Sequence, residues 1–214
     1  MIDLQRFCAN ETDPREHLRA PWRDGQWTYA TNGHVCVRVH ASVTGPAPVD
    51  RIVGKHPDTA ALFAKWIDDR PGEFLVMPTL PAVQACRYCD GRGWHHAAKC
   101  PDCIDGEFKH GDHIYECQNC ADEPVAAGWI DTGKQSDPQK PCEHCIGRGF
   151  EMADFEIGDQ NWELGYLAWL AELPQLRVRT HYEPTEDGDP LKDAAAFVFD
   201  GGQALLMPKR REGL

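Results

Sequence analysis

The 214 residues carry 34 Asp and Glu against 22 Lys and Arg, a formal net charge of −12, with an isoelectric point near 5.2 and a mean hydropathy of −0.54. That balance excludes a surface built for general nucleic-acid or anionic-membrane binding, because such binders displace counterions with clustered Lys and Arg. No apolar run approaches a bilayer span, and Met1 is followed by Asp3 and Arg6 rather than by the apolar core of a secretory leader, so a reducing cytoplasm is the expected compartment.

Ile2, Leu4, Phe7 and Cys8 make a short apolar-periodic piece that predicts one or two helical turns before the Asn10 to Pro14 break. From Gln26 to His40 the pattern predicts a β-hairpin: Val35, Val37 and Val39 alternate with Cys36, Arg38 and His40, as in a half-buried strand, after the turn-forming dipeptide Asn32-Gly33. A Gly/Pro loop over Ser42 to Val49 precedes a helix expected over Asp58 to Asp69. Its apolar face is Leu62, Phe63, Trp66 and Ile67, and Arg70-Pro71-Gly72 stops it. Phe74 to Met77 reads as a short buried strand, and Pro78 and Pro81 mark an exit.

Eight of the ten cysteines then fall in four Cys-x-x-Cys pairs: Cys86/Cys89, Cys100/Cys103, Cys117/Cys120 and Cys142/Cys145. One such turn aims two thiolates at one ion and two turns complete a tetrahedral sulfur shell, so four turns predict two closed zinc sites. A disulfide framework is the bland alternative, disfavoured by the expected compartment. Iron–sulfur ligation is disfavoured because no ferredoxin spacing is present. His95, His96, His110, His113 and His144 lie nearby, but eight thiolates already fill two tetrahedra. Cys8 and Cys36 read as small core residues.

After the cysteines, Phe150 to Ile157 alternates as a strand, and Asp159 or Asn161 is placed to cap a helix through Leu173, with Tyr166, Leu167, Leu170 and Leu173 as its inner stripe and Pro174 as its stop. Leu176 to Tyr182 alternates again, and Glu183 to Asp193 is an acidic loop. Ala196 to Phe199 and Ala204 to Met207 flank Asp200-Gly201-Gly202-Gln203 as a second hairpin. The fold class expected is α+β: an antiparallel-sheet domain with two helices over residues 1–81 and 150–214, interrupted by a cysteine-rich zinc module over 82–149.

Cys86-Arg-Tyr-Cys-Asp-Gly-Arg-Gly93 and Cys142-Glu-His-Cys-Ile-Gly-Arg-Gly149 both match C-x-x-C-x-G-x-G, and residues 86–150 resemble the cysteine-rich zinc domain of DnaJ-type co-chaperones. The resemblance implies an outer zinc site of Cys86, Cys89, Cys142 and Cys145 and an inner one of Cys100, Cys103, Cys117 and Cys120. The inner repeats depart from the family by lacking the second half of the motif. The glycines let the chain after each knuckle take backbone angles that a Cβ resists. His56-Pro57-Asp58 matches the J-domain tripeptide, but Pro46, Pro48 and Gly54 precede it where a basic helix belongs, so it reads as a helix start.

Tyr29-Ala-Thr-Asn-Gly-His34 is similar to a turn of the bacterial sliding clamp. Tyr166-Leu-Ala-Trp-Leu, Pro190-Leu191 and Leu206-Met-Pro-Lys-Arg210 follow the order of the last clamp domain. The resemblance implies a single clamp-like domain whose peptide-binding pocket maps onto Thr31, Gly33, His34, Met207 and Pro208. A DNA-encircling ring needs basic helices. Here Trp162 to Leu173 carries Glu163 and Glu172 with no Lys or Arg, and Asp58 to Asp69 sets Lys65 against Asp58, Asp68 and Asp69. Residues 86–150 hold eleven Asp and Glu against seven Lys and Arg, so that surface repels phosphate.

No nucleophile elbow, phosphate-cradling loop or open metal site appears, so no catalytic residue is expected. The expected function is a non-enzymatic zinc-binding adaptor for a protein partner, with the small composite build of a phage or mobile-element accessory. The alternatives are a replication accessory that engages DNA or polymerase, and a thiol oxidoreductase using the Cys-x-x-Cys pairs.

Overall fold

The computed structural model describes residues 2–10, 13–43, 49–52, 54–70, 72–151, 153–157, 160–180 and 194–208. In chain order the strands are β1 (Trp22–Asp24), β2 (Trp27–Thr31), β3 (Val35–His40), β4 (Val49–Asp50), β5 (Leu75–Val76), β6 (Trp94–Lys99), β7 (Glu107–His110), β8 (His113–Glu116), β9 (Trp129–Asp131), β10 (Gln139–Pro141), β11 (Asp154–Ile157), β12 (Gln160–Glu163), β13 (Arg177–Arg179), β14 (Ala195–Phe199) and β15 (Gly202–Leu206). Two α-helices accompany them, α1 (Thr59–Phe63) and α2 (Leu164–Ala171). The architecture is α+β and mostly antiparallel. The chain divides into two compact units, a body of Met1–Pro81 with Ala153–Leu214 and a cysteine-rich unit of Ala82–Met152.

In the body, eight strands form one sheet in the order β4-β1-β2-β3-β15-β14-β13-β5, antiparallel except where β4 joins β1. The N-terminal and C-terminal hairpins meet along β3 and β15, with Val35 opposite Leu206 and Val39 opposite Gly202. Val35, Val37 and Val39 face a core shared with Phe197, Phe199, Leu206 and, from α2, Tyr166, Leu167 and Leu170. Cys36 and Leu205 face the other side with Trp22, Tyr29 and, from the α1 segment, Phe63, Trp66 and Ile67. The alternation of β3 therefore separates two buried faces rather than a buried from a wet one, and even Arg38 is only 7% exposed. Its guanidinium lies over the Trp27 and Phe63 rings and donates to Gln203 Oε1 at 2.7 Å.

Other expectations shift for local reasons. The N-terminal turn is a 3-10 turn, Gln5–Phe7. Asp58 caps the next helix by accepting from the Ala61 N–H, but α1 passes at Ala64 into a π-helical turn, Ala64–Asp68, closed by the Asp69 N–H on the Ala64 carbonyl at 2.8 Å. Buried Arg179 donates to the Trp66 and Ile67 carbonyls at 3.0 Å each, satisfying the orphaned end of that turn. Leu62 sits outside the core at 41% exposure. The strand expected to be buried after this helix is the edge pair β5, where Leu75 and Val76 are 55% and 82% exposed because only β13 lies beside them.

The helix expected from Asp159 or Asn161 begins later, at Leu164. Asn161 instead pairs with Glu156 in the hairpin of β11 and β12, which carries the fully buried Trp162. Cross-strand pairing holds that segment extended until an almost wholly apolar run, Leu164 to Ala171, can lie flat on the sheet. Asp159, the acidic loop, Pro190-Leu191 and Lys209-Arg210 lie outside the described residues.

Within the cysteine-rich unit, β6 is flanked by β10 and β9, and β7 and β8 form a separate hairpin. Its entering and leaving segments are zipped together by the Ala85 to Phe150 bridge and the Glu151 N–H on the Gln84 carbonyl at 2.9 Å. Among the described residues no helix is long and apolar enough to cross a membrane.

Candidate functional site

The cysteines converge as two groups of four, Cys86, Cys89, Cys142 and Cys145, and Cys100, Cys103, Cys117 and Cys120, each with its sulfurs within 4.8 Å of one another. In the first group Cys86 Sγ is 4.0 Å from Cys142 Sγ and Cys89 Sγ 3.8 Å from Cys145 Sγ. In the second, Cys100 Sγ is 3.8 Å from Cys117 Sγ and Cys103 Sγ 3.6 Å from Cys120 Sγ. Zinc–sulfur bonds of about 2.3 Å in a tetrahedron place sulfurs about 3.8 Å apart. All ten cysteines are free thiols, and the two groups of four are each able to hold one metal ion and together fit two zinc ions. No histidine belongs to either group among the described residues.

Backbone geometry explains how short turns reach this arrangement. In each outer knuckle the residue after the second cysteine, Asp90 or Ile146, is left-handed, with φ of 51° and 52°. The chain then doubles back so that Gly93 donates its N–H to Cys89 Sγ and Gly149 donates to Cys145 Sγ, both at 3.2 Å. The two knuckles also clasp one another. The Gly149 carbonyl accepts from Cys86 N–H at 3.0 Å, and the Gly93 carbonyl accepts from Cys142 N–H at 2.9 Å. A Cβ on Gly149 would lie 2.3 Å from the Gly91 carbonyl oxygen, and one on Gly93 2.5 Å from that of Gly147. Both glycines have φ of +80°, so the sequence motif is a steric requirement of the clasp.

The inner site repeats the clasp with residues the motif does not flag. The Gly128 carbonyl accepts from Cys100 N–H at 2.9 Å and the Gly106 carbonyl accepts from Cys117 N–H at 2.7 Å. Gly106 comes three residues after Cys103 and Gly128 eight after Cys120, so the spacing hides their equivalence to Gly93 and Gly149. Approach is again close, 2.7 Å from a Cβ on Gly128 to Asp105 Cα. The outer four sulfurs are all buried, whereas Cys103 of the inner set is partly open.

Burial pushes the Cys142 thiol up to about 12. Burial acts upward on Cys86 and Cys117 as well, but backbone N–H groups, led by those of Tyr88 and Asn119, hold both below the usual thiol value. Four thiols this close cannot all ionise unaided, since each thiolate opposes the next; a divalent cation at the centre reverses that balance and makes the tetrathiolate the stable form. Cys8 and Cys36 stand apart in the body core, and burial pushes each up to about 12.

The body holds a pocket of about 360 Å³. Thr31, Gly33, His34 and Met207 line it, and Pro208 follows Met207 without being one of its lining residues. The two segments meet where the Met207 N–H donates to the His34 carbonyl at 2.9 Å. Thr31 fixes the turn by accepting from Gly33 N–H at 3.0 Å and donating to the Val35 carbonyl at 2.6 Å, while Asn32 Oδ1 accepts from the His34 and Val35 N–H groups. His34 stacks on Tyr166 of α2, whose hydroxyl accepts from Asn32. Leu18, Leu62, Trp66 and Leu205 supply apolar walls. No family model, no curated protein and no solved structure matches the chain.

Proposed function

We propose that this chain is a non-enzymatic adaptor that docks a short segment of a partner protein in the body pocket and presents a DnaJ-like module held by two zinc ions. The observation that carries the reading is the meeting of the Thr31 to His34 turn with Met207 around one mostly apolar pocket, joined by the Met207 to His34 hydrogen bond. Pockets of this size take anchoring side chains rather than a folded surface. These are the two segments that resemble the clamp's peptide-binding site, and here β3 and β15 pair directly, so one domain supplies both. Zinc serves as a scaffold: eight thiolates close both coordination shells and leave no open position for a reacting water.

The test is a size-exclusion mass combined with crosslinking and pull-down of the full zinc-loaded chain against Met207→Glu. The reading expects a small assembly and a captured partner that Met207→Glu loses while keeping two zincs. A ring-sized oligomer with measurable duplex affinity at low salt would replace it with the replication-accessory reading.

A further inference from the structure

One wall of the pocket comes from a stretch outside the clamp-like segments. Lys55, Pro57, Thr59 and Leu62 line it where α1 begins, immediately around His56-Pro57-Asp58. Thr59 is 1% exposed, and among the described residues its hydroxyl has no hydrogen-bond partner.

The rim carries the opposite charge to the molecule as a whole. Exposed Lys55 and Arg15 and half-buried His17 line the pocket, and among the described residues no carboxylate does, in a chain with 34 acidic side chains. Arg15 is partly answered by Asp13, to which it donates at 2.7 and 2.9 Å, and it also donates to the Asn32 carbonyl. Asp58 points to the Ala61 N–H and lies 3.9 Å from Arg51. The positive rim is therefore carried chiefly by Lys55.

Resting on the peptide-docking reading above, we infer that the pocket selects an acidic peptide. The occupant is an extended segment of the partner protein in which an apolar anchor for Leu62, Trp66 and Leu205 is followed by carboxylates for Lys55. Charge complementarity supplies the selection, and apolar burial supplies the bulk of the affinity.

The test uses three fluorescein-labelled hexapeptides, each with a leucine–phenylalanine anchor followed by two aspartates, two asparagines or two lysines, titrated against the full zinc-loaded chain at low salt. The aspartate peptide should bind about fivefold more tightly than the asparagine peptide, the gain expected of exposed charge pairs, with the lysine peptide weakest. Lys55→Glu should reverse that order. Equal affinity for all three peptides overturns the acidic preference and leaves the docking reading standing. Binding by none of them overturns both. Displacement of the aspartate peptide by single-stranded oligothymidylate would reassign the rim to phosphate and overturn the inference.

Discussion

In the body, both faces of the central strands of the eight-stranded sheet disappear under apolar side chains, Phe197 and Leu167 on one and Trp22 and Phe63 on the other, none more than 1% exposed. In the cysteine-rich unit, the buried set is the cysteines with little more than Ala97, Val125, Phe150 and His95, and the β7–β8 hairpin leaves Phe108, Ile114 and Tyr115 in water. About seventy residues with so little apolar burial cannot offset their conformational entropy, whereas a tetrathiolate centre supplies in one bond set what the body draws from dozens of contacts. The difference separates a unit that folds by itself from one whose folding is metal binding.

Metal removal should separate the two most strongly. Structural zinc contributes on the order of 10–16 kcal/mol in zinc-finger peptides, so a strong chelator should erase amide protection over Trp94–Lys99 and at Gln139 and Lys140 while β3, β14 and β15 keep theirs. Loss of protection in β14 would end the claim that the body is self-sufficient. Cys142→Ser should reduce elemental zinc from two ions to one, whereas Cys36→Ser, in the body core, should leave both.

The converse perturbation is Phe197→Ala. Removing that fully buried ring should cost the body about 3–5 kcal/mol by denaturant titration, with zinc content still at two. Gly149→Ala addresses the clasp: the left-handed backbone alone costs about 1–3 kcal/mol for a residue with a Cβ, and the clash with Gly91 adds to it. Metal should be lost to a competing chelator from the outer site first, and simultaneous loss from both sites would show that the clasps are coupled. The smallest effect is electrostatic. Arg15, by hydrogen bonding, holds the Asp13 carboxyl down at about 2 from an ordinary value of 3.8. A depressed folded-state pKa gives stability that is present above the ordinary value and lost as pH falls from about 4 to about 2. Solvent screening keeps this below about 1 kcal/mol, and Asp13→Asn should remove that portion of the acid transition.

Sequence spacing carried the four ligand pairs, because a Cys-x-x-Cys turn is a local device whose ligand geometry follows from four consecutive residues, while the grouping of those pairs into an outer and an inner site was implied by the resemblance to the DnaJ-type module. The glycines at Gly93 and Gly149 were legible for the same reason. Gly106 and Gly128 were not, since their role depends on which knuckle faces which, a relation that local spacing does not record. The hairpins of β2–β3 and β14–β15 were readable from alternation and turn chemistry. The burial of Cys36 and Arg38 was not, because period-2 alternation does not say whether the second face of a sheet is wet or covered.

What the sequence determined by itself was chemistry held within a few residues: eight thiolates in four pairs, two turn-centred hairpins, the apolar run of α2. What only the tertiary structure decided was everything that needs two distant segments to meet. Pairing of β3 with β15 brings Met207 to the Thr31 to His34 turn, and docking of the α1 segment on the opposite sheet face brings Lys55 and Thr59 to the same pocket. Cross-strand hydrogen bonds and burial of Phe63 and Trp66 drive those meetings, and both energies belong to the assembled sheet rather than to any one stretch of the chain.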